Sequence, residues 1–276
     1  DETATAGGRM FAQVHSRGLN NILSFESATP YDNWELWRDI RTLPLEEQKA
    51  RLGDPATKAK LVEIANRKYT GPRIVGAEIR PPDWHYVFPM VDMSYDTPSM
   101  AQIAKEKGVD PVELMIDMAL ERDLKMFFRA PIANENQDHV LEMIKHPRSV
   151  VTFSDSGAHV SQIMDSSLQT HLLSHWVREK EALTLEEAVK QITYNTATLW
   201  GLHDRGLLRE GMAADVVVFD PDTIGPNMPE VLNDLPAGAR RLKQTASGIL
   251  NTVVNGEILL TDNEYSGATA GRLLRS

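Results

Sequence analysis

Two short, largely apolar runs stand out along the chain. Residues 10–14 (Met-Phe-Ala-Gln-Val) and 149–153 (Ser-Val-Val-Thr-Phe) each have the length and character of a buried strand. Each passes directly into polar residues. The first leads to His15, Ser16, Arg17 and Gly18, and the second to Ser154, Asp155, Ser156, Gly157, Ala158 and His159. Buried strands that end in polar side chains are the layout of an α/β active-site rim. Residues 22–25 extend the first run as further extended chain.

Helical patterns separate these runs. Patches at 44–52 and 56–67 lie within an irregular stretch, about 30–98, that holds three of the five Trp (Trp34, Trp37, Trp84) and the Gly71-Pro72 and Pro81-Pro82 breaks. That stretch reads as an insertion covering a site or, equally, as structural elaboration. A helix over 99–107 ends at Gly108. Asp110-Pro111-Val112-Glu113 then supplies an N-cap, a proline at the first helical position and an acid two residues on. Its apolar stripe of Leu114, Met118 and Leu124 is core material. Further helices are expected at 137–145, at 166–179, and from the Thr184–Glu187 capping box to near Gly201. Helix–strand–helix order predicts a parallel sheet with helices outside. After Gly206 strands take over: a Val-rich strand at 215–219, and a hairpin of 250–254 and 257–260 around Asn255-Gly256, a type I′ turn signal.

Composition narrows the function classes. The 276 residues are 42% hydrophobic and 25% charged, enough for a sizeable core. A formal net charge of −10 leaves no basic face for nucleic acid. Zero cysteines exclude disulfides and thiolate metal ligands within the chain, and fit a reducing, cytoplasmic setting. No apolar run approaches membrane-spanning length, and residues 1–5 do not resemble a signal peptide. P-loop, dinucleotide-fingerprint and nucleophile-elbow motifs are all missing.

The candidate chemistry gathers at the two strand exits. Asp155 can coordinate a metal or accept a proton from metal-bound water; it can equally cap the following loop. Arg17 can clamp a carboxylate or sit in a structural ion pair, and His15 shares its strand face if the strand persists. His171 and His175 have zinc-protease spacing. Leu172 replaces the glutamate that signature needs, which favours core or solvated histidines.

The run from His146-Pro147-Arg148 to Phe153-Ser154-Asp155-Ser156-Gly157-Ala158-His159-Val160 resembles the metal-dependent amidohydrolases, and within them the N-acyl-D-amino acid deacylases. Gln13–Arg17, Thr170–Trp176, Gly201–Gly206, Gly211–Asp220, Leu235–Gly238 and the terminal Gly271-Arg272-Leu273-Leu274 carry the same resemblance. It implies an α/β fold: the C-terminal part of a (β/α)8 TIM barrel over residues 1–205, and a segment of a small β-sandwich over 206–276, its final residues packing back. It implies one or two zinc-type ions, with Asp155 as metal ligand and general base in hydrolysis of a C–N amide bond. Ser156, His159 and His15 would line the substrate pocket, and Arg17 would hold the substrate carboxylate.

The resemblance also has a gap. The family's His-x-His metal motif occurs nowhere in this sequence, and one carboxylate cannot hold a catalytic zinc. The expectation is therefore a C-terminal half, inactive alone and completed by an N-terminal half that carries His-x-His. The substrate would be a small N-acyl amino acid, with no nucleic-acid or membrane partner; homo-oligomerisation stays open. Two competing readings are a hydantoinase-type cyclic amide hydrolase and a metal-free scaffold or regulatory subunit.

Overall fold

A computed structural model describes residues 1–70, 82–164 and 166–273. The Gly71-Pro72 break, Pro81 and Leu274 lie outside those residues. A one-turn helix, α1 (Glu2–Thr5), precedes β1 (Ala12–Val14) and β2 (Leu19–Ser24). Then come α2 (Glu35–Arg41), α3 (Leu45–Gly53), α4 (Pro55–Ala65), β3 (Phe88–Met90), α5 (Met100–Lys107), α6 (Pro111–Glu121), β4 (Phe127–Ala133), α7 (Gln137–Lys145) and β5 (Ser149–Val151). Helix α8 (Leu168–His171) continues unbroken as a π-helix over Leu172–Glu179. Helix α9 (Leu185–Lys190) runs through a second π segment, Gln191–Asn195, into α10 (Thr196–Leu199). Eight strands follow: β6 (Val216–Phe219), β7 (Gly225–Pro226), β8 (Glu230–Leu235), β9 (Ala239–Lys243), β10 (Ala246–Ser247), β11 (Ile249–Val254), β12 (Glu257–Thr261) and β13 (Glu264–Tyr265).

The local signals explain most boundaries. Ser99 and Gln102 form a reciprocal capping box on α5, and Thr184 and Glu187 do the same on α9. The Asp110 carboxylate accepts from the Val112 amide at 2.7 Å, with Pro111 behind it opening α6. Asn255 and Gly256 both take positive φ (48° and 84°) between β11 and β12, as a type I′ turn requires.

The sheets differ from the expected pattern. One described pair is parallel: β1 with β5, in register Ala12↔Ser149, Gln13↔Val150 and Val14↔Val151. The second strand stops at Val151 rather than reaching Phe153. The Thr152 and Phe153 amides both converge on the Val14 carbonyl, at 3.2 and 3.3 Å, instead of stepping along a ladder. The other described sheets are antiparallel: β2-β4-β3, β13-β12-β11-β6, β8-β9 and β10-β7.

Three apolar clusters hold these pieces. The largest joins α2–α6 to β2 and β4 through Trp37, Leu52, Leu61, Met115, Ile116 and Phe128. A second packs β1, α7, β5 and the π-helix around Ile144, Leu172 and Trp176, with Ile224 reaching in from the β region. A small third cluster joins Ile22, Met90, Phe127, Met164 and Leu242. The sheet of β6, β11 and β12 leaves Val217, Val218, Leu250 and Ile258 exposed. No helix among the described residues is long and apolar enough to cross a membrane.

Gly248 fixes the join between the second cluster and the β region. Its φ is +77°, and an added Cβ would lie 2.4 Å from the Ile224 backbone nitrogen. Gly248→Ala should therefore destabilise the protein by about 1–3 kcal/mol through strain and overlap. The urea midpoint should fall; an unchanged midpoint would show that the Ile224 turn yields freely.

Candidate functional site

The site begins where β1 ends. The chain turns immediately after Val14, and the Arg17 amide donates to His15 Nδ1 at 3.1 Å. The strand does not persist to hold His15 and Arg17 on one face, as expected from sequence. Both side chains are nonetheless buried, each 1% exposed. Ser16 between them is locked from two sides. Its hydroxyl donates to the Leu168 carbonyl, and its own carbonyl accepts from Trp176 Nε1 at 2.6 Å.

Arg17 donates from Nε to the Tyr95 hydroxyl oxygen at 3.2 Å and from Nη1 to Ser167 Oγ. Its carbonyl accepts from Asn134 Nδ2 at 3.4 Å. Among the described residues no carboxylate lies within ion-pair distance of Arg17, so the structural ion pair weighed from sequence is not formed there. Tyr95 comes from the loop between β3 and α5, inside the stretch read as an insertion. Its phenol oxygen also accepts from Asn20 Nδ2 at 3.3 Å. The Arg129 guanidinium, from β4, sits 3.7 Å over the Tyr95 ring and is buried as well. The outer part of the Tyr95 loop is tied down by Asp96, which pairs with Lys180 at 2.7 Å.

His171 and His175 close the other side. Their rings stack at 4.8 Å and 15°, and lie 4.9 and 5.4 Å from the Tyr95 ring. Both are 2% exposed, and the Nε2 atom of each is buried without a hydrogen-bond partner among the described residues. His175 Nδ1 meets the Glu179 carboxylate at 3.1 Å. The pair is thus core rather than solvated. Stacked rings do not converge their in-plane lone pairs on one ion, which argues against a zinc site here. Tyr95, Arg129, Asn20 and Ser167 carried no sequence signal. They come from distant segments, and the π-helix that begins right after His171 and holds His175 has no recognisable pattern.

The second strand exit is built differently. Asp155 is half-buried, and its side chain makes no hydrogen bond among the described residues. It does not cap by side chain; its carbonyl accepts from the Ala158 amide at 3.0 Å. Ser156 and His159 are exposed, and His159 takes a positive φ of 46°. His15 and Phe153 meet edge to face at 6.3 Å, the nearest described ring contact between the two exits. The parallel pairing sends the Arg17 and Asp155 segments out of one end of the β1–β5 pair. No hydrogen bond or ion pair among the described residues joins Asp155, Ser156 or His159 to Arg17. The described residues also contain no group of three His, Cys, Asp or Glu able to hold a metal ion. A metal centre on Asp155 therefore needs donors from elsewhere.

Electrostatics set the protonation of the buried groups. Burial pushes His171 well below its ordinary value of 6.5, and the charges of Arg17, His175, His15 and Arg129 push the same way. Burial also lowers His175, outweighing the pull of Glu179. Burial alone would raise the Tyr95 phenol. Arg17 and Arg129, with hydrogen bonds from Asn20 and Arg17, outweigh it and hold the phenol below its ordinary value. The folded state prefers neutral His171, whereas the unfolded chain takes up the proton near 6.5. Stability is then full above that pH and is lost as pH falls from it through the depressed folded value. Urea midpoints measured across this range should fall with acid in the wild type and fall less steeply in His171→Phe. Equal slopes would remove His171 from the account.

Comparison with known proteins adds the family. The sequence profile of the amidohydrolase family matches residues 89–260, which include β3 to β12 and Asp155. A D-aminoacylase of Alcaligenes xylosoxydans xylosoxydans is 35% identical over 103 residues, 37% of this chain and 19% of that protein. An N-acyl-D-glutamate deacylase of the same organism is 54% identical over 55 residues, 20% of this chain and 11% of that protein. Among solved structures, the N-acyl-D-glutamate deacylase of Bordetella bronchiseptica, complexed with zinc and a phosphonate inhibitor, aligns with a TM-score of 0.43 and 24% identity. That alignment covers 70% of this chain and 38% of that one. The chain thus spans well under half the length of the relatives it matches. With most of its length under one profile, this α/β chain belongs to the amidohydrolase family.

Proposed function

We propose that this chain forms part of a metal-dependent hydrolase that cleaves the C–N amide bond of N-acyl-D-amino acids. The observation that carries the reading is the parallel pairing of β1 with β5, which sends Arg17 and Asp155 out of the same end of one sheet. Catalytic residues of a (β/α)8 barrel gather at the carboxyl ends of its strands. We take β1 and β5 as two neighbouring strands of such a barrel. A pair of three-residue parallel strands does not stand alone, and its outer edges call for further strands.

Asp155 acts as the proton acceptor. It takes a proton from the attacking water and returns it to the leaving nitrogen. Its partial exposure and freedom from side-chain hydrogen bonds suit that exchange. Arg17 orients the substrate carboxylate, and His15, Ser156 and His159 border the pocket. A zinc-type ion would polarise the amide carbonyl. This chain offers Asp155 toward it, and the remaining ligands would come from an N-terminal part carrying His-x-His. Exposed Val217, Val218, Leu250 and Ile258 on β6, β11 and β12 support packing of additional chain on that sheet.

The full-length protein should hydrolyse N-acetyl-D-amino acids. Asp155→Ala should lower kcat by about 10²–10⁴-fold while leaving the unfolding midpoint unchanged. Wild-type turnover in that variant would sink the assignment. Turnover of hydantoins in place of N-acetyl-D-amino acids would move the substrate to cyclic amides.

A further inference from the structure

The groups around Tyr95 have an unusual charge balance. Arg17 and Arg129 are 1% and 5% exposed, and among the described residues neither has a carboxylate within ion-pair distance. Arg129 donates to the Ser94 carbonyl at 3.3 Å and faces the rings of Phe88 and Tyr95. Asp92 on the Tyr95 loop acts on it from further away. Burying one guanidinium without a counter-charge is strongly unfavourable, and two side by side more so. Neighbouring His171 and His175 cannot supply negative charge. The acidic proton at the centre of the cluster is that of Tyr95, whose oxygen already accepts from Arg17 Nε and from the amide nitrogen of Asn20.

We propose that Arg17 and Arg129 form a buried anion site for a carboxylate group, with the phenol oxygen of Tyr95 as its built-in occupant that the carboxylate replaces. This deepens the proposed role of Arg17 by adding Arg129 as a second determinant and Tyr95 as the competing ligand. Three features of this cluster support exchange rather than a sealed core. Tyr95 lies on a loop, and its backbone neighbours Asp92 and Asp96 are exposed. The anchor of that loop, Asp96–Lys180, is a surface ion pair, worth little in water. His171 Nε2 is buried against the Tyr95 ring without a partner, and a carboxylate oxygen would give it one. The downward pull on the Tyr95 phenol is the electrostatic signature of the same site. Groups facing it are Arg17 after β1, Arg129 on β4, Asp92 on its own loop, and His15, His171 and His175.

The test reads ionisation directly, without turnover. The full-length wild-type protein and Tyr95→Phe are compared by ultraviolet difference absorption in the tyrosinate band during a pH titration. The expected result is a tyrosinate signal that appears at lower pH than for free tyrosine, is missing in Tyr95→Phe, and is lost on adding sodium acetate but not sodium chloride at equal ionic strength. Arg129→Met should shift the signal back toward ordinary tyrosine. A tyrosine titrating at its free value, or a band that acetate leaves unchanged, overturns the proposal. If Tyr95→Phe does not fold, the acetate and chloride arms on the wild type decide alone. Failure here leaves the Asp155 assignment standing, and loss of that assignment leaves this spectrum unaffected.

Discussion

A guanidinium keeps its charge, so a protein that buries one must surround it with fixed hydrogen-bond acceptors or accept a large desolvation cost. Arg17 imposes that constraint here. Its side chain is held by Tyr95 from the loop after β3 and by Ser167 from the segment entering α8, and its carbonyl by Asn134 from the end of β4. Ser16 beside it fastens Leu168 and Trp176 to the same turn. The few residues after β1 are therefore the place where the insertion side, the central strands and the π-helix are pinned together. The apolar clusters supply most of the burial, but they do not fix how these segments approach one another; directional bonds to a buried charge do.

The two strand exits have opposite physical characters. The Arg17 exit is dry, over-determined and cationic. The Asp155 exit is half-open, and its loop uses the positive φ of Gly157 and His159 rather than side-chain bonds. A binding group benefits from rigidity, because ordering it is already complete before the ligand arrives. A group that must gain and lose a proton benefits from access. The parallel β1–β5 register places these contrasting exits side by side, an arrangement that suits an enzyme holding an anionic substrate at one end and breaking a bond at the other.

How far the sequence disclosed this depended on the range of each signal. Capped helices at Ser99, Asp110 and Thr184, and the Asn255-Gly256 hairpin, were legible because their determinants are neighbours in the chain. The pairing of two distant short runs was legible as two strands of one type, though their parallel contact was an inference from pattern. Strand β4 was hidden by Pro131, which cannot donate to a ladder and sits opposite a register shift at Asn20. The π-helix was hidden because its sequence carries no mark that separates it from an ordinary helix; the spacing of His171 and His175 showed only that they share a face. Tyr95 and Arg129 were invisible for a different reason: nothing local marks a residue whose partners lie dozens of positions away.

That last failure separates two kinds of residue. Asp155 stands out because it follows a short apolar strand directly, a signal that is local in the chain. Tyr95 is contributed by an irregular stretch with no motif, yet it reaches Arg17, the most buried Lys, Arg, Asp or Glu among the described residues. A segment of that kind is free to vary without disturbing the β1–β5 pairing or the turn around Asp155, since its contact with Arg17 is a side-chain contact at a loop. Differences in what an amidohydrolase of this type accepts would then be written where β3 leads into α5 rather than in the strand-end motif. The insertion is in that case part of the site, and its irregular sequence is what allows it to be.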